Sequence, residues 1–473
     1  MQLYNTKSRK LEEFKPISDK TVLLYTCGPT VYNYLQIGNW VAYIRWDTLV
    51  RTLQANGYTV NRFMNITDVG HLVSDADEGQ DKLEKGAQRE GKTAWEVAQF
   101  YADDFLAGMN KLNLLPPKNI GRATDYISEQ IELVKTLETR GYTYIIDDGV
   151  YFDTSKFASY ADFAKLNLAE LQKGARVAYN SQKRNASDFA LWKFSPAGEK
   201  RDMEWSSPWG VGFPGWHLEC SAMALTQLAN TIDIHTGGID HIPVHHTNEI
   251  AQSEAATGQT FANYWVHNNF LLCDGTKASK SLGNTYTLQD LETKGYDPAD
   301  FKMFVLQSHY RSESNFTWDN LSAAKNRLEN WRNIACLAWQ VDDTSIEPDE
   351  DCVSDESLAY LHASQGILLA LNNDLDTPTA LVAAEEGLNY ANTHGVSLAS
   401  LASFKQLLQQ IHDLLGLNIE SADITAEQKD ILLAREKART AKNWQLSDEL
   451  RDRLAKQGIG INDSAHGQRW HRT

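Results

Sequence analysis

Thr21-Val22-Leu23-Leu24-Tyr25-Thr26-Cys27-Gly28-Pro29 is the stretch on which the fold turns. A short apolar run broken by Gly-Pro reads as a buried strand ending in a tight turn. From Ile37 to Gln54 apolar residues recur at helical spacing. Strand, loop and helix in that order open a nucleotide-binding α/β unit, which a strand over Thr59 to Asp68 and a helical region over Asp81 to Leu112 continue. No G-x-G-x-x-G follows the first strand, so a dinucleotide fold is not indicated.

Working outward, the periodicity turns mixed from Pro116 to Pro214, with strand signals over Tyr144 to Phe152 and a Trp- and Gly-rich segment from Trp205 to Trp216. This reads as an insertion. The α/β pattern resumes with a strand at Ile232 to His235 ending in Gly237-Gly238, a helix from Val244 to Ala256 and a strand from Tyr264 to Leu272. Beyond Asp319 the pattern is helical, interrupted by an acidic stretch from Asp342 to Glu356 that reads as a solvated linker. Ala426 to Lys456 reads as two helices joined near Asn443-Trp444, and Ile459-Gly460-Ile461 with Arg469-Trp470-His471 as a small hairpin. The expected fold class is α/β: a Rossmann-like parallel-sheet domain with an inserted α+β domain, followed by a helical bundle and a small C-terminal domain.

At 473 residues the chain is too long for one ordinary core, and 42% hydrophobic with 10% aromatic residues excludes a disordered chain. The N-terminus has no signal-peptide core and no run is long and apolar enough to span a bilayer, so a cytoplasmic protein without membrane contact is expected. Five dispersed cysteines do not form a disulfide framework and fit reduced thiols or metal ligands. A net charge of −17 argues against nonspecific coating of nucleic acid. The tail from Arg435 to Thr473 is nevertheless net basic, with nine basic against five acidic residues.

Two stretches point to chemistry. Lys277-Ala278-Ser279-Lys280-Ser281, running into Leu282-Gly283-Asn284, sets two lysines and two hydroxyls in a glycine-flanked loop suited to a polyphosphate. A solvated surface turn is the ordinary alternative. His245 and Glu249 stand i, i+4 in a helical segment and share a face, while Cys27 ends the first strand and Cys220 lies in Gly215-Trp216-His217-Leu218-Glu219-Cys220. Two sulfurs, an imidazole and a carboxylate would suit zinc; buried cysteines and a hydrogen-bonded His-Glu pair would account for the same residues without it. His246 is expected to point off that face as a partner for the loop or sheet.

Cys27-Gly28-Pro29-Thr30-Val31-Tyr32, Pro214 to Met223, His245 to Ser253 and Lys277 to Asn284, taken together and in this order, resemble cysteinyl-tRNA synthetases, within the class I aminoacyl-tRNA synthetases. The resemblance runs to Gly467-Gln468-Arg469-Trp470. It implies one zinc per chain held by Cys27, Cys220, His245 and Glu249, with the substrate's thiolate read by the metal and Trp216 and His235 beside the bound cysteine. It also implies ATP with Mg2+, L-cysteine and tRNA-Cys as substrates. Cysteine would be activated as cysteinyl-adenylate and passed to the 3′ end of the tRNA.

In the same family an ATP motif, His-Ile-Gly-His or His-Ile-Gly-Asn, opens the first helix. The matching residues here are Gln36-Ile37-Gly38-Asn39, so Gln36 departs from the pattern. The implied ATP site is Gln36, Gly38, Asn39, Lys277, Ser279, Lys280 and Ser281, with Gln36, Asn39, Lys277 and Lys280 acting on the reacting phosphate. Arg435, Arg439, Trp444, Arg451 and Trp470 are the candidates for tRNA contact. The implied division is a catalytic domain over 1–115 and 215–265 with a connective insertion over 116–214, a lysine-loop and stem-contact region over 266–318, a helical tRNA-binding bundle over 319–420, and an anticodon-binding domain over 421–473. A monomer is expected. Two other readings share these motifs: a ligase joining cysteine to a small amine, and a noncatalytic cysteine- or tRNA-binding protein, suggested by Gln36.

Overall fold

The computed structural model describes residues 1–70, 82–167, 181–196, 201–278, 283–341, 354–464 and 467–473. Thr21–Thr26 lies at the centre of a five-stranded, all-parallel sheet whose spatial order is Ala262–Asn268, Ile232–Gly238, Thr21–Thr26, Thr59–Ile66, Asn119–Arg122. Helix Ile37–Ala55 makes the crossover from Thr21–Thr26 to Thr59–Ile66. The chain later returns on the opposite side as Ile232–Gly238, so the strand order reverses beside Thr21–Thr26. Such a reversal leaves a crevice at the carboxyl ends of the two diverging strands, where α/β proteins bind ligands. Tyr25, Phe63, Ile232 and Trp265 from the sheet pack with Leu218 and Met223 of helix Trp216–Gln227 in one core.

Several elements differ from the sequence expectations, each for a local reason. The helical region after residue 81 is two helices, Lys82–Glu90 and Ala94–Lys111. Gly91 breaks it at a positive φ of 65°, and Thr93 restarts it in a reciprocal capping box with Glu96. The strand signal at 144–152 is a hairpin, Thr143–Ile146 against Gly149–Phe152. That hairpin belongs to an antiparallel sheet completed by Phe189–Phe194, Gly210–Pro214 and Trp205–Ser207. The last parallel strand stops at Asn268, whose side chain bonds the next carbonyl, and Leu271–Cys273 starts a separate sheet. The helix expected from Val244 begins as a π-turn, Ile242–His246, before Thr247–Thr257.

The chain divides into two compact units, Met1–Asp290 with Tyr310–Ser314, and Leu291–His309 with Asn315–Thr473. In the second, helices Trp318–Ala335, Asp355–Asn372, Thr377–His394 and Leu401–Leu415 precede the terminal element. There, helices Ala426–Thr440 and Trp444–Ala455 and a hairpin of Ile459–Ser464 with Gly467–Arg472 form as the sequence predicts. Most of the expected acidic linker, residues 342–353, lies outside the described residues. Among the described residues, no helix is long and apolar enough to cross a membrane.

Candidate active site

At the crevice, a cavity of about 520 Å3 is lined by Cys27 and Gly28 after the first strand, Gln36, Gly38 and Asn39 at the first helix, Trp216, Cys220, Gly237, His245 and Lys277. The sheet topology accounts for the convergence: one wall follows Thr21–Thr26 and the opposite wall follows Ile232–Gly238. Gly28 is required by close approach. A Cβ there would sit 1.6 Å from the Asn65 carbonyl oxygen, and its N–H donates to Asn65 Oδ1 at 2.8 Å. The turn carrying Cys27 is thereby clamped to the neighbouring strand.

Cys27, Cys220, His245 and Glu249 offer ligand atoms that all lie within 4.8 Å of one another. His245 Nε2 is 2.7 Å from Glu249 Oε1, and Cys27 Sγ is 4.0 Å from the same oxygen. Glu249 is fully buried and its other oxygen lies 2.6 Å from His235 Nε2. His217 Nδ1 meets His245 Nδ1 at 2.9 Å, fixing that ring from behind, and Trp216 lies against it with ring centroids 4.7 Å apart. Burial opposes a charge on Glu249, yet His235 and His245 hold its carboxyl well below the usual range. The hydrogen bond from Cys27 draws the Cys220 thiol down to about 7, while burial pushes Cys27 well above its ordinary value. The lowered Cys220 thiol thus lies beside an anionic carboxylate, a donor set suited to a divalent metal.

A second set of possible ligands, Cys27, His235, His246 and Glu249, shares two members with the first. His246 finds a partner on the sheet, as the sequence reading held, in His267 of strand Ala262–Asn268, and it also lies against Cys27, which that reading did not foresee. It is fully buried, with Nε2 3.5 Å from Cys27 Sγ and Nδ1 2.7 Å from His267 Nε2, which in turn meets Thr6 Oγ1. In the π-turn the adjacent His245 and His246 both come within 4.8 Å of the ligand atoms of Cys27 and Glu249, while His245 and not His246 lines the cavity. The set with two sulfurs is the softer, and softness favours zinc.

On the other wall, Ile37–Ala55 presents its N-terminus to the cavity. Gln36 is the N-cap, and Asn39 Oδ1 accepts from its N–H at 3.1 Å. A Cβ on Gly38 would meet nothing within 4 Å, so no packing demands glycine there; its bare backbone leaves the cavity open to a ligand's phosphate. Lys277 is exposed, with Nζ 5.4 Å from the Phe270 ring centre. Asn284 ties the loop base by donating to Cys273 O and Thr276 Oγ1. Ser279, Lys280 and Ser281 lie outside the described residues.

The candidates for RNA contact separate by burial. Arg435 is 1% exposed, donating to both oxygens of Asp463 at 3.0 and 3.1 Å and to Gln468 at 2.9 Å, and Trp470 is packed with Cys336, Ile424, Ile431 and Leu454. Both side chains are internal, the reverse of the expectation, because the hairpin folds back over helix Ala426–Thr440. Arg439 shares Asp463 at the surface, Arg451 pairs with Asp448 at 3.1 Å, and Trp444 is 59% exposed. Sequence reasoning missed His217, His241 and Asn268 at the cavity or behind its ligands; a density of histidines between 217 and 267 signals the first two, and nothing in the sequence singles out Asn268.

Residues 13–326 match the family model for tRNA synthetases class I (C) catalytic domain, and residues 421–470 match the cysteinyl-tRNA ligase anticodon binding domain. A cysteine–tRNA ligase 1 of Burkholderia lata is 44% identical over 99% of this chain and 96% of its own length. A cysteine–tRNA ligase of Treponema denticola is 38% identical over 99% of both. Among solved structures, LeuRS of Agrobacterium radiobacter, from a ternary complex, superimposes with a TM-score of 0.63 at 12% identity, covering 86% of this chain and 85% of that one. Methionyl-tRNA synthetase of Mycobacterium tuberculosis gives 0.57 at 14% identity, with 84% and 92% covered. These two establish likeness of fold.

Proposed function

The chain belongs to the cysteine–tRNA ligase family of aminoacyl-tRNA synthetases, and on that premise we propose how its residues divide the work. A carboxylate oxygen of cysteine attacks the α-phosphorus of ATP, and the bond to pyrophosphate breaks to leave cysteinyl-adenylate. The terminal ribose hydroxyl of the tRNA then attacks the acyl carbon and AMP departs. The amide of Gln36 donates to the α-phosphate as charge develops, and Asn39 holds the backbone of that cap in place. Gly38 lets phosphate approach the helix N-terminus. Lys277 and Lys280, with the hydroxyls of Ser279 and Ser281, follow the charge onto the leaving pyrophosphate, which enters with Mg2+.

Cys27, Cys220, His245 and Glu249 fit one zinc ion by donor chemistry and by their mutual distances. When bound there, zinc supplies a soft Lewis acid that takes a substrate thiolate in preference to a hydroxyl, which separates cysteine from serine. His235 holds the Glu249 carboxylate in orientation, His217 does the same for His245, and Trp216 walls the amino-acid end of the cavity. Arg439, Trp444 and Arg451 are the surface residues offered to tRNA. A cytoplasmic monomer completes the proposal.

The observation that carries this reading is the meeting, in one cavity, of the sulfur-bearing donor set with the Gln36–Asn39 helix end and Lys277. The test is cysteine-dependent exchange of pyrophosphate into ATP. The purified protein is expected to exchange, and a chelator is expected to abolish exchange without abolishing ATP binding. Cys220→Ser should lower kcat/KM for cysteine by at least about 100-fold, more than a supporting residue costs, and reduce zinc content. Zinc-loaded enzyme without exchange would favour the noncatalytic reading, which no observation now favours. The matched anticodon-binding domain speaks against a small-amine ligase.

A further inference from the structure

Tyr34 is at once a wall of the cavity and 36% exposed, which makes it a rim residue. Its ring lies 6.0 Å from that of Phe100 and 5.1 Å from that of Tyr101, in edge-on contacts. Phe100 is itself 42% exposed, although it sits on helix Ala94–Lys111, which buries Val97, Tyr101 and Phe105 on its inner face. Lys92 sets its ammonium 4.8 Å from the centre of the Phe100 ring. Tyr101 is buried beneath the pair, its hydroxyl donating to Glu90 at 2.6 Å, so the two exposed rings rest on a fixed support.

The adenylation step needs none of these groups outside the cavity. The second step does need something at the rim, because a ribose hydroxyl at the end of an RNA chain must be led into the same cavity. Exposed aromatic rings with a cation at hand are the chemistry that holds unpaired bases, through stacking on ring faces. The surrounding charge is mixed: Glu90 is paired with Arg89 and Lys92, and Asp103 stands three residues beyond Phe100. That mixture is poorly suited to tracking phosphates and leaves base faces as what the patch can read.

We propose that Tyr34 and Phe100, with Lys92, form a stacking platform at the cavity rim for the single-stranded 3′ end of the tRNA. The proposal rests on the function given above. The platform holds the end of the RNA during transfer, and its outer members Phe100 and Lys92, which do not line the cavity, take no part in adenylate formation.

Phe100→Ala, Phe100→Leu and Phe100→Trp in the full-length protein test it, with pyrophosphate exchange and tRNA charging read in parallel. Phe100→Ala is expected to raise the KM for tRNA on the order of ten-fold while exchange stays within about two-fold of the parent. Phe100→Leu should behave like Ala, since apolar bulk without a ring face does not stack, and Phe100→Trp should restore charging. The effect should change little between low and moderate salt, unlike that of a phosphate contact. As a direct readout, tRNA lacking its unpaired 3′ nucleotides should inhibit parent and Phe100→Ala enzymes equally, while intact tRNA binds the parent more tightly. Charging unaffected by Phe100→Ala, or a full rescue by Leu, overturns the platform. A fall in sedimentation mass on Phe100→Ala would assign the patch to self-association and overturn it too. Loss of exchange in the parent enzyme would instead strike the underlying functional reading.

Discussion

Gln36 is the residue whose chemistry departs furthest from the motif it occupies. An amide donates a hydrogen bond but never carries charge, so on the function proposed above the positive charge that a histidine could add at the phosphates is left to the lysines. Gln36→His should therefore raise the rate of adenylation by about 5- to 30-fold, the worth of making one neutral hydrogen bond charge-assisted, about 1–2 kcal/mol. In that background Lys277→Ala should be less damaging than in the parent. A double-mutant cycle in pyrophosphate exchange measures the difference, and equal defects in both backgrounds would remove the idea that the lysines compensate. The same scale shows what a sequence carries and what it hides. Cys27, Cys220, His245 and Glu249 were legible as one set through the family resemblance, since residue type and spacing alone left buried thiols and a hydrogen-bonded His-Glu pair as another account. The approach of His246 to Cys27 was hidden by the assumption of α-helical winding, and the burial of Arg435 was hidden because a net-basic tail does not tell which bases a neighbouring carboxylate consumes.

The terminal hairpin is the element where that carboxylate matters. Arg435 is buried and its guanidinium depends on Asp463, whose side chain is 40% exposed on strand Ile459–Ser464. The hydrogen bond from Arg435, reinforced by Arg439, holds the Asp463 carboxyl below its ordinary 3.8. A carboxyl depressed on folding binds protons more readily in the unfolded chain, so its contribution is fully present above pH 3.8 and is lost as pH falls through the depressed value. Amide exchange in the hairpin should accordingly stay protected at neutral and mildly acid pH and loosen below about pH 4. Asp463→Asn should abolish that acid step and cost about 2 kcal/mol at neutral pH, discounted from a fully buried pair because the aspartate is partly solvated. An unchanged acid step in Asp463→Asn would mean that another group governs it. Element existence was legible here, down to the joint at Asn443-Trp444, because caps and turn residues act locally. The break at Gly91 was legible but unread, since Gly91 and the Thr93–Glu96 capping box are local signals, whereas nothing in the spacing distinguishes the π-turn at Ile242–His246 from an α-helical start.

At the scale of the whole molecule, every residue lining the reaction cavity belongs to the first compact unit and the matched anticodon-binding domain belongs wholly to the second. The chemistry of adenylate formation and the reading of the tRNA's distant end are therefore separable by substitution. Truncation is a poor way to separate them: Cys336 shares a core with Ile424, Ile431 and Trp470, and Trp339 donates to Ser421 O, so removing the chain beyond 420 would uncover the turn Cys336–Trp339 that follows helix Trp318–Ala335. Surface substitution avoids that damage. Trp444, 59% exposed at the start of its helix, can lose its ring without opening a cavity, and Arg451 can lose its charge with only a surface ion pair to break. Trp444→Ala should raise the KM for tRNA by roughly 5- to 150-fold if a base stacks on it, and Arg451→Ala should reduce the salt dependence of charging by about one phosphate contact. Pyrophosphate exchange should remain at the parent level in both. A net charge of −17 makes this a demanding expectation, because 62 carboxylates against 45 lysines and arginines set a general repulsion that the cations at this surface must overcome. Charging by the double variant at the parent rate would move tRNA recognition away from this surface, and a fall in exchange would show that the two units are coupled in the chemistry itself.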